Sequence, residues 1–317
     1  MSPTPGCADI DYAAGLLRNG RLVAFPTETV YGLGANALDS GAVARIYAVK
    51  RRPATSPLIV HVASIEMAQL LVADWPELAG RLAKKFWPGP LTLVLHKLAG
   101  KIPDNVTAGL ATVGLRMPAH PVALALIEAA GVPLAAPSAN RFSELSPTTA
   151  DHVRRSLGGD VDYILDGGPC SVGIESTVLS LAESRPVLLR PGGISRAELE
   201  AVAGPVELAG EVETGAHPAP GMHARHYSPR TLLYLTADGK LPERGRGIYL
   251  QHSHPADRPN IQIIQMPTAA TDYAAALYGK LHEADGGNVD WIAVDSPPHT
   301  TEWSAVLDRL RRAAARE

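Results

Sequence analysis

A chain of 317 residues exceeds what one hydrophobic core usually encloses, so two domains are expected. Hydrophobic residues at 46%, charged residues at 19% and a formal net charge of -3 describe an ordinary globular protein with no global signature of nucleic-acid binding. No apolar run approaches the roughly 18 residues of a membrane span, and MSPTPGCADI lacks the basic and apolar regions of a signal peptide, so no membrane association and a cytoplasmic location are expected.

In chain order, apolar runs predict strands at Leu22 to Phe25, Leu58 to Val62, Leu91 to Leu95, Val113 to Arg116, Leu134 to Ala136, Tyr163 to Leu165, Thr177 to Leu181 and Val187 to Leu189. Helical spacing falls between them, at Ser40 to Lys50, Ile65 to Val72, Glu77 to Phe86, Val122 to Ala130 and Ala150 to Leu157. The mixture indicates an α/β layer fold. Cys170, in this region, reads as a small buried filler, and neither it nor Cys7 sits in a C-x-x-C pair that would suggest a thiolate metal site. From 206 to 230 the sequence is rich in Gly, Pro and small residues and reads as a linker. Beyond it, strands at Leu232 to Leu235, Gly247 to Leu250, Ile261 to Gln265 and Trp291 to Val294, with helices at Asp272 to Glu283 and Glu302 to Arg312, predict a smaller α/β domain. The expected division is 1–205, 206–230 and 231–317.

The stretch FPTETVYGLGANA contains Gly32-Leu33-Gly34-Ala35-Asn36-Ala37, a formal match to the dinucleotide pattern G-x-G-x-x-G/A. That fingerprint requires the glycines on the turn from strand into helix and an acidic residue about 20 positions later. Here Pro26-Thr27-Glu28-Thr29 intervenes, the next helix starts only near Ser40, and Arg52 occupies the distal position. An NADP reductase survives only as a minor alternative. Thr27, Glu28 and Thr29, directly after an apolar strand, are better placed to line a crevice at the strand's carboxyl end; the competing reading is a turn whose hydroxyls bond their own backbone.

Polar groups recur at other element ends. Val43, Ile46, Tyr47 and Lys50 share one helical face, and Lys50-Arg51-Arg52 then run into Pro53, which is expected to stop the helix. A basic run there fits either the helix dipole or an anion site. His61 interrupts an apolar strand with Ser56 at its mouth, and Thr112 and Arg116 lie four apart on another. Ser138, Asn140, Ser143 and Ser146 follow a short strand, Ser176 precedes one, and Arg190 ends one. Lys50, Arg52, Arg116 and Arg190, gathered in an acidic chain, suit a triphosphate and a carboxylate better than a long RNA backbone.

Taken together, FPTETVYGLGANA, KRRPATSPLIVHV, FWPGPLTLVL, VGLRMPAHP, APSANRFSELSPT, GIESTVLSL and LLRPGGIS resemble the YrdC-like L-threonylcarbamoyladenylate synthases, in family order over roughly residues 10–205, and the C-terminal extension resembles the two-domain branch. The resemblance implies a YrdC-like twisted mixed sheet with helices, followed by a smaller Rossmann-like α/β domain. It also implies synthesis of threonylcarbamoyl-AMP and pyrophosphate from L-threonine, bicarbonate or carbon dioxide, and ATP, for tRNA modification. Magnesium would accompany ATP, no organic cofactor is implied, and the product would be handed to the tRNA threonylcarbamoyl transferase complex without stable RNA binding. By similarity Thr29, His61, Arg116, Ala136 and Ser176 hold threonine. Arg52, Ser56, Thr112, Ser138, Ser146 and Arg190 hold ATP, with Lys50 and Asn140 completing the catalytic phosphate region alongside Arg52 and Ser138. The chain departs from the family pattern at Arg51, where Gly is frequent, and at Ser56, where Asn is frequent and reaches further.

In the two-domain branch the linker passes over the active site, which makes GMHARHYSP a candidate lid whose His226-Tyr227 pair reaches ATP. His217, His223 and His226 lack a companion acidic or Cys ligand at metal spacing, so no metal site of the chain's own is expected. Two other functions compete: an RNA-binding module of the same fold, and carbamoyl transfer by a similar domain, for which the zinc-finger and phosphatase-like accessory regions are missing.

Overall fold

The computed structural model describes residues 5–210, 226–259 and 261–315. Its elements run α1 (Cys7–Arg18), β1 (Val23–Phe25), β2 (Gly32–Asn36), α2 (Ser40–Lys50), β3 (Ile59–His61), α3 (Ile65–Gln69), α4 (Glu77–Phe86), β4 (Leu91–His96), α5 (Asp104–Thr107) and β5 (Thr112–Arg116). Then come α6 (Pro121–Ala130), β6 (Leu134–Ala135), α7 (Ala150–Leu157), β7 (Tyr163–Ile164), β8 (Thr177–Ser180), β9 (Val187–Arg190), α8 (Arg196–Ala203) and β10 (Glu207–Leu208). The remainder forms β11 (Leu232–Thr236), β12 (Gly247–Gln251), β13 (Gln262–Gln265), α9 (Ala270–Asp285), β14 (Trp291–Asp295) and α10 (Ser304–Ala314).

Among the described residues the first ten strands make one mixed sheet, ordered β10-β9-β8-β4-β5-β3-β6-β2-β1-β7. The central strands carry the site: β3 pairs parallel to β5, placing His61 opposite Arg116, and antiparallel to β6. One face packs Ala24, Leu33, Val43, Ile46 and Leu115 into the larger core, while Val23 and Phe25 point to the other face, against α1 and α6. Alternation along β1 therefore serves two cores at once.

The Gly-x-Gly stretch is strand β2, antiparallel to β1 with Phe25 opposite Gly32 and Val23 opposite Gly34. Its glycines make room for an aromatic ring and not for a pyrophosphate. A Cβ on Gly34 would meet the Phe25 ring at 2.8 Å, and one on Gly32 would meet it at 3.3 Å. Gly34→Ala is accordingly expected to cost about 1–3 kcal/mol by overpacking, read as a lower urea midpoint with unchanged slope.

Helix α2 starts where Asp39 accepts hydrogen bonds from the Gly41 and Ala42 amides, and its buried face is Ala42, Val43, Ile46 and Lys50. It ends at Lys50, before Pro53 is reached, because Arg51 adopts a left-handed backbone with φ 52°. Helices α1, α5 and α8 complete the large domain. In the 206–230 connection, Glu207 and Leu208 extend the large sheet as β10, whereas residues 211–225, including most of the expected lid with His217 and His223, lie outside the described residues.

The C-terminal sheet is parallel throughout, ordered β11-β14-β12-β13. Ile248, Leu250, Ile292 and Val294 face α9 and α10, while Tyr249, Trp291 and Ala293 face the opposite side with Leu241. The core under α9 and α10 also takes in Val30, Leu145 and Ile174 from the large domain, so the two domains share one apolar interface. Gly173, at φ 74°, lies so close to α9 that a Cβ would meet Ala275 at 2.5 Å. The expected α/β fold, a mixed sheet with helices followed by a smaller α/β C-terminal domain, is what the chain forms.

Candidate active site

A half-open cleft, about 540 Å³ with the open solvent at its mouth included, lies where β1, β3, β5 and β9 end and β8 begins. The loop from β1 to β2 supplies Thr27 and Thr29, β3 supplies His61, β5 supplies Arg116, and the turn after β6 supplies Ala136 and Ser138. Arg52, Glu175, Ser176 and Arg190 line the far wall, and His226 with Tyr227 lie across it from the chain that enters the C-terminal domain.

The two threonines divide the alternatives open from sequence. Thr27 builds the turn: its hydroxyl accepts from the Thr29 and Val30 amides at 3.2 Å and donates to the Val30 carbonyl at 2.6 Å. Thr29 faces inward, where its hydroxyl accepts from Arg116 Nη1 at 2.9 Å. Arg116 is held on its other side by Glu28, with Nη2 and Oε1 2.7 Å apart but off the hydrogen-bonding line; the Ala119 amide donates to the second Glu28 oxygen at 3.0 Å. His61 is buried beside Phe25, with no hydrogen-bond partner for Nδ1 among the described residues. Burial first, then the Arg116 charge, push its pKa down to about 3, so the ring is neutral at physiological pH.

Arg52 is buried, donates Nε to the Ser56 carbonyl at 3.3 Å and Nη2 to the Pro57 carbonyl at 3.0 Å, and pairs with no carboxylate among the described residues. Burial, with Arg190 as an opposing like charge, lowers its pKa to about 10. Arg190 donates Nη2 to the Ser176 carbonyl at 2.9 Å and to the Ser176 hydroxyl at 3.2 Å, and Ser176 also shares a 2.8 Å contact with Thr92. A cavity wall bearing such cations is built for an anion.

Five residues that the family resemblance assigns to the site stand outside this lining. Lys50 is buried behind it, with Nζ donating to the backbone carbonyls of Ser138 and Asn140; burial and then Arg52 push its pKa well below the usual lysine value. Asn140 donates Nδ2 to the Arg141 and Glu144 carbonyls at 3.0 and 2.8 Å, organising the Ser-Ala-Asn loop from within. Thr112 lines a neighbouring hollow with Pro57, Ile59 and Thr92. Ser56 is buried at the start of β3, its carbonyl engaged by Tyr47 and Arg52. Ser146 donates to Glu175 Oε1 at 2.5 Å. The loop is therefore far from a surface turn: Ala139, Asn140 and Ser146 are all buried.

Glu175 lies among hydroxyls and cations without fitting their pattern, and Glu28, named beside Thr27 and Thr29, has no partner that the sequence indicates. Both adjoin chosen positions, Thr29 and Ser176, yet their partners, Arg116 and Arg309, are 88 and 134 positions away in sequence, beyond any local pattern. Burial alone would raise the Glu175 pKa, but Arg309, Arg190 and the Ser146 hydroxyl hold it below the usual value. Cys170 is buried, as expected of a filler, and its thiol is pushed up to about 12 chiefly by that burial.

Comparison with known proteins agrees with this architecture. The family model described as "Telomere recombination" matches residues 15–192, and that described as "Threonylcarbamoyl-AMP synthase, C-terminal domain" matches residues 194–315. The threonylcarbamoyl-AMP synthase of Bacillus subtilis is 44% identical over 322 aligned residues, covering 96% of this chain and 92% of that one. The Pyrococcus abyssi enzyme of the same name is 43% identical, covering 96% and 94%. Among solved structures, the Pyrococcus abyssi protein complexed with L-threonine superposes with a TM-score of 0.88 at 42% identity, covering 97% of this chain and 94% of that chain. A variant of that protein with a His and the following Tyr both replaced by Ala gives 0.87 at 41% identity, covering 97% and 93%. The chain therefore belongs to the threonylcarbamoyl-AMP synthase family, with both the large domain and the C-terminal domain of the two-domain branch.

Proposed function

We infer that the chain joins L-threonine, bicarbonate and ATP into threonylcarbamoyl-AMP, releasing pyrophosphate, for the threonylcarbamoyladenosine modification of tRNA. The observation that carries the reading is the convergence of Arg52, Arg116 and Arg190 with Thr29, His61, Ser138 and Ser176 on one cleft. Arg116, steadied by Glu28 and Thr29, suits the threonine carboxylate, and neutral His61 can accept a hydrogen bond without repelling the ammonium group. Arg52, which pairs with no carboxylate among the described residues, suits the phosphates together with Arg190.

In the reaction, bicarbonate takes up a proton and loses water to give carbon dioxide, and the neutral threonine amine adds to its carbon and releases a proton to solvent, forming a carbamate. A carbamate oxygen then attacks the α-phosphorus, and the bond from phosphorus to the pyrophosphate oxygen breaks. No protein nucleophile is required, because positioning and charge neutralisation supply the acceleration. Lys50 and Asn140 contribute by fixing the backbone that presents Ser138. The chain's one His-Tyr pair, His226-Tyr227, covers the cleft from the C-terminal side, where it would shield the intermediate from water.

Magnesium enters this reading with ATP, held by the phosphates: no group of three or more His, Cys, Asp or Glu side chains among the described residues could hold a metal. We further propose the division 1–205, 206–230 and 231–317 as catalytic domain, connection or lid, and C-terminal domain, a cytoplasmic setting, and transfer of the product to the tRNA threonylcarbamoyl transferase complex. No helix among the described residues is long and apolar enough to cross a membrane. Direct RNA binding fits poorly, since Arg52, Arg116 and Arg190 are only 8%, 4% and 3% exposed and cannot follow a duplex backbone.

The test is substrate dependence. Pyrophosphate release is expected to require L-threonine and bicarbonate together, with L-serine slower by about 1–3 kcal/mol in kcat/KM for want of the methyl group. Equal release without an amino acid contradicts the reading.

A further inference from the structure

Tyr227 lines the cleft in a conformation that its own residue type does not favour. Its backbone is left-handed, with φ 61°, a region that a residue with a Cβ rarely occupies unless tertiary contacts impose it. Its hydroxyl has no hydrogen-bond partner among the described residues, so ring contacts and the neighbouring backbone must hold it. The His226 amide donates to the Arg312 carbonyl of α10 at 3.3 Å, and the Ser228 amide donates to the Ser143 carbonyl at 2.8 Å. The ring lies under Arg309 of α10, whose Cζ is 5.4 Å from the ring centroid, and beside Tyr278 of α9 at 6.0 Å. Arg309 is in turn tied to the large domain. Its Nε donates to Glu175 Oε2 at 2.8 Å and its Nη1 to the Pro191 carbonyl at 2.8 Å, with Asp308 accepting from the same Nη1 at 2.9 Å. All the guanidinium N–H bonds lie in one plane, so these contacts fix that plane and leave its cationic face for an aromatic neighbour. Arg309 and Tyr227 are each 1% exposed, and a cation–π contact is strongest where solvent does not compete.

We propose that Arg309 is a positioning residue for adenylate synthesis: anchored on Glu175 and Pro191 of the large domain, it holds the Tyr227 ring in place over the cleft. The C-terminal domain then completes the active site. This rests on the reaction and on the covering role of Tyr227 inferred above. Without the guanidinium, Tyr227 keeps an unfavourable backbone conformation and loses the cation that compensates for it. The ring then leaves its place as the backbone relaxes, and water reaches the adenylate. Water attack on the mixed anhydride breaks the bond joining carbamate to phosphate and yields AMP and the threonine carbamate, with a proton released. The carbamate takes up a proton and returns to threonine and carbon dioxide.

A cation that only fastens two domains and a cation that places Tyr227 differ in a double-mutant cycle. The full-length wild type, R309M, R309K, Y227A and R309M/Y227A proteins are compared by threonine-dependent pyrophosphate release, with thermal unfolding as the check on folding. AMP formed per pyrophosphate is read at times short against decay of the free adenylate. R309M is expected to lower kcat/KM for ATP about tenfold and to raise the AMP share, and R309K to fall between it and the wild type. In the Y227A background the same change is expected to alter kcat/KM by less than about twofold, because the ring it positions is gone. Equal losses in both backgrounds, or wild-type kinetics in folded R309M, overturn the proposal. Should R309M fail to fold, the cycle is run in an E175Q background, where no buried Glu175 charge is left without its partner. There a loss that depends on Tyr227 supports the proposal, and equal losses overturn it. A wild type without threonine-dependent pyrophosphate release would contradict the reaction itself, and Y227A with wild-type kinetics would contradict the covering role. An impaired Y227A with an independent effect of R309M overturns only the role of Arg309.

Discussion

Arg116→Leu is expected to cost about 3–5 kcal/mol of folding stability and to abolish threonine-dependent turnover. The size follows from what stays behind. Glu28 is 6% exposed, and its cationic partner is Arg116 at 2.7 Å. Removing the arginine leaves a buried carboxylate whose remaining hydrogen-bond donor among the described residues is the Ala119 amide, and also strips donors from Thr29 Oγ1 and the Gly89 carbonyl. Adding Glu28→Gln should restore much of the urea midpoint, since the uncompensated charge is gone, while leaving the enzyme inactive because no cation faces the threonine carboxylate. Stability and activity that return together in the double variant would show that Arg116 acts only through the fold.

Arg52→Ala is expected to do the reverse. It should lower kcat/KM by about 2 kcal/mol or more, roughly thirtyfold, through loss of a charge-assisted contact in the transition state. Stability should change by less than about 1 kcal/mol, because a buried arginine with no carboxylate partner among the described residues, opposed by Arg190, is held at a cost that alanine removes. Two hydrogen bonds to the Ser56 and Pro57 carbonyls are lost in exchange. Steady-state kinetics beside a urea melt check both halves. Normal kcat/KM in this variant would reduce the Lys50-Arg51-Arg52 run to the end of a helix.

These contrasts also show what a sequence makes visible. The strands bounded by polar residues, such as Leu91–His96 and Trp291–Asp295, were legible because buried strands read as apolar runs. Strand β2 was not: Gly32-Leu33-Gly34 has poor strand propensity, and its conformation comes from the Phe25 ring lying across it, a tertiary contact. Helix α1 carries only a weak signal, with Ile10, Ala13, Ala14 and Leu17 on one face, because alanine contributes little hydrophobic contrast.

The site divides along the same line. Arg116, Arg190, His61 and Ser176 stood out because a polar residue at the end of an apolar strand is conspicuous, and all four line the cleft. Lys50 and Asn140 also stood out, yet their side chains organise the Ser138 loop from behind, a distinction between touching and supporting that spacing does not encode. Glu175 was hidden because its meaning depends on Arg309 in another domain.

The most direct test of the central claim is to incubate the full-length protein with ATP, L-threonine and radiolabelled bicarbonate and to resolve the products before the labile adenylate decays. The label is expected in a single compound containing both threonine and AMP, formed in equal amount with pyrophosphate and absent when threonine is omitted. Pyrophosphate released without labelled adenylate, or label incorporated equally without threonine, would contradict it.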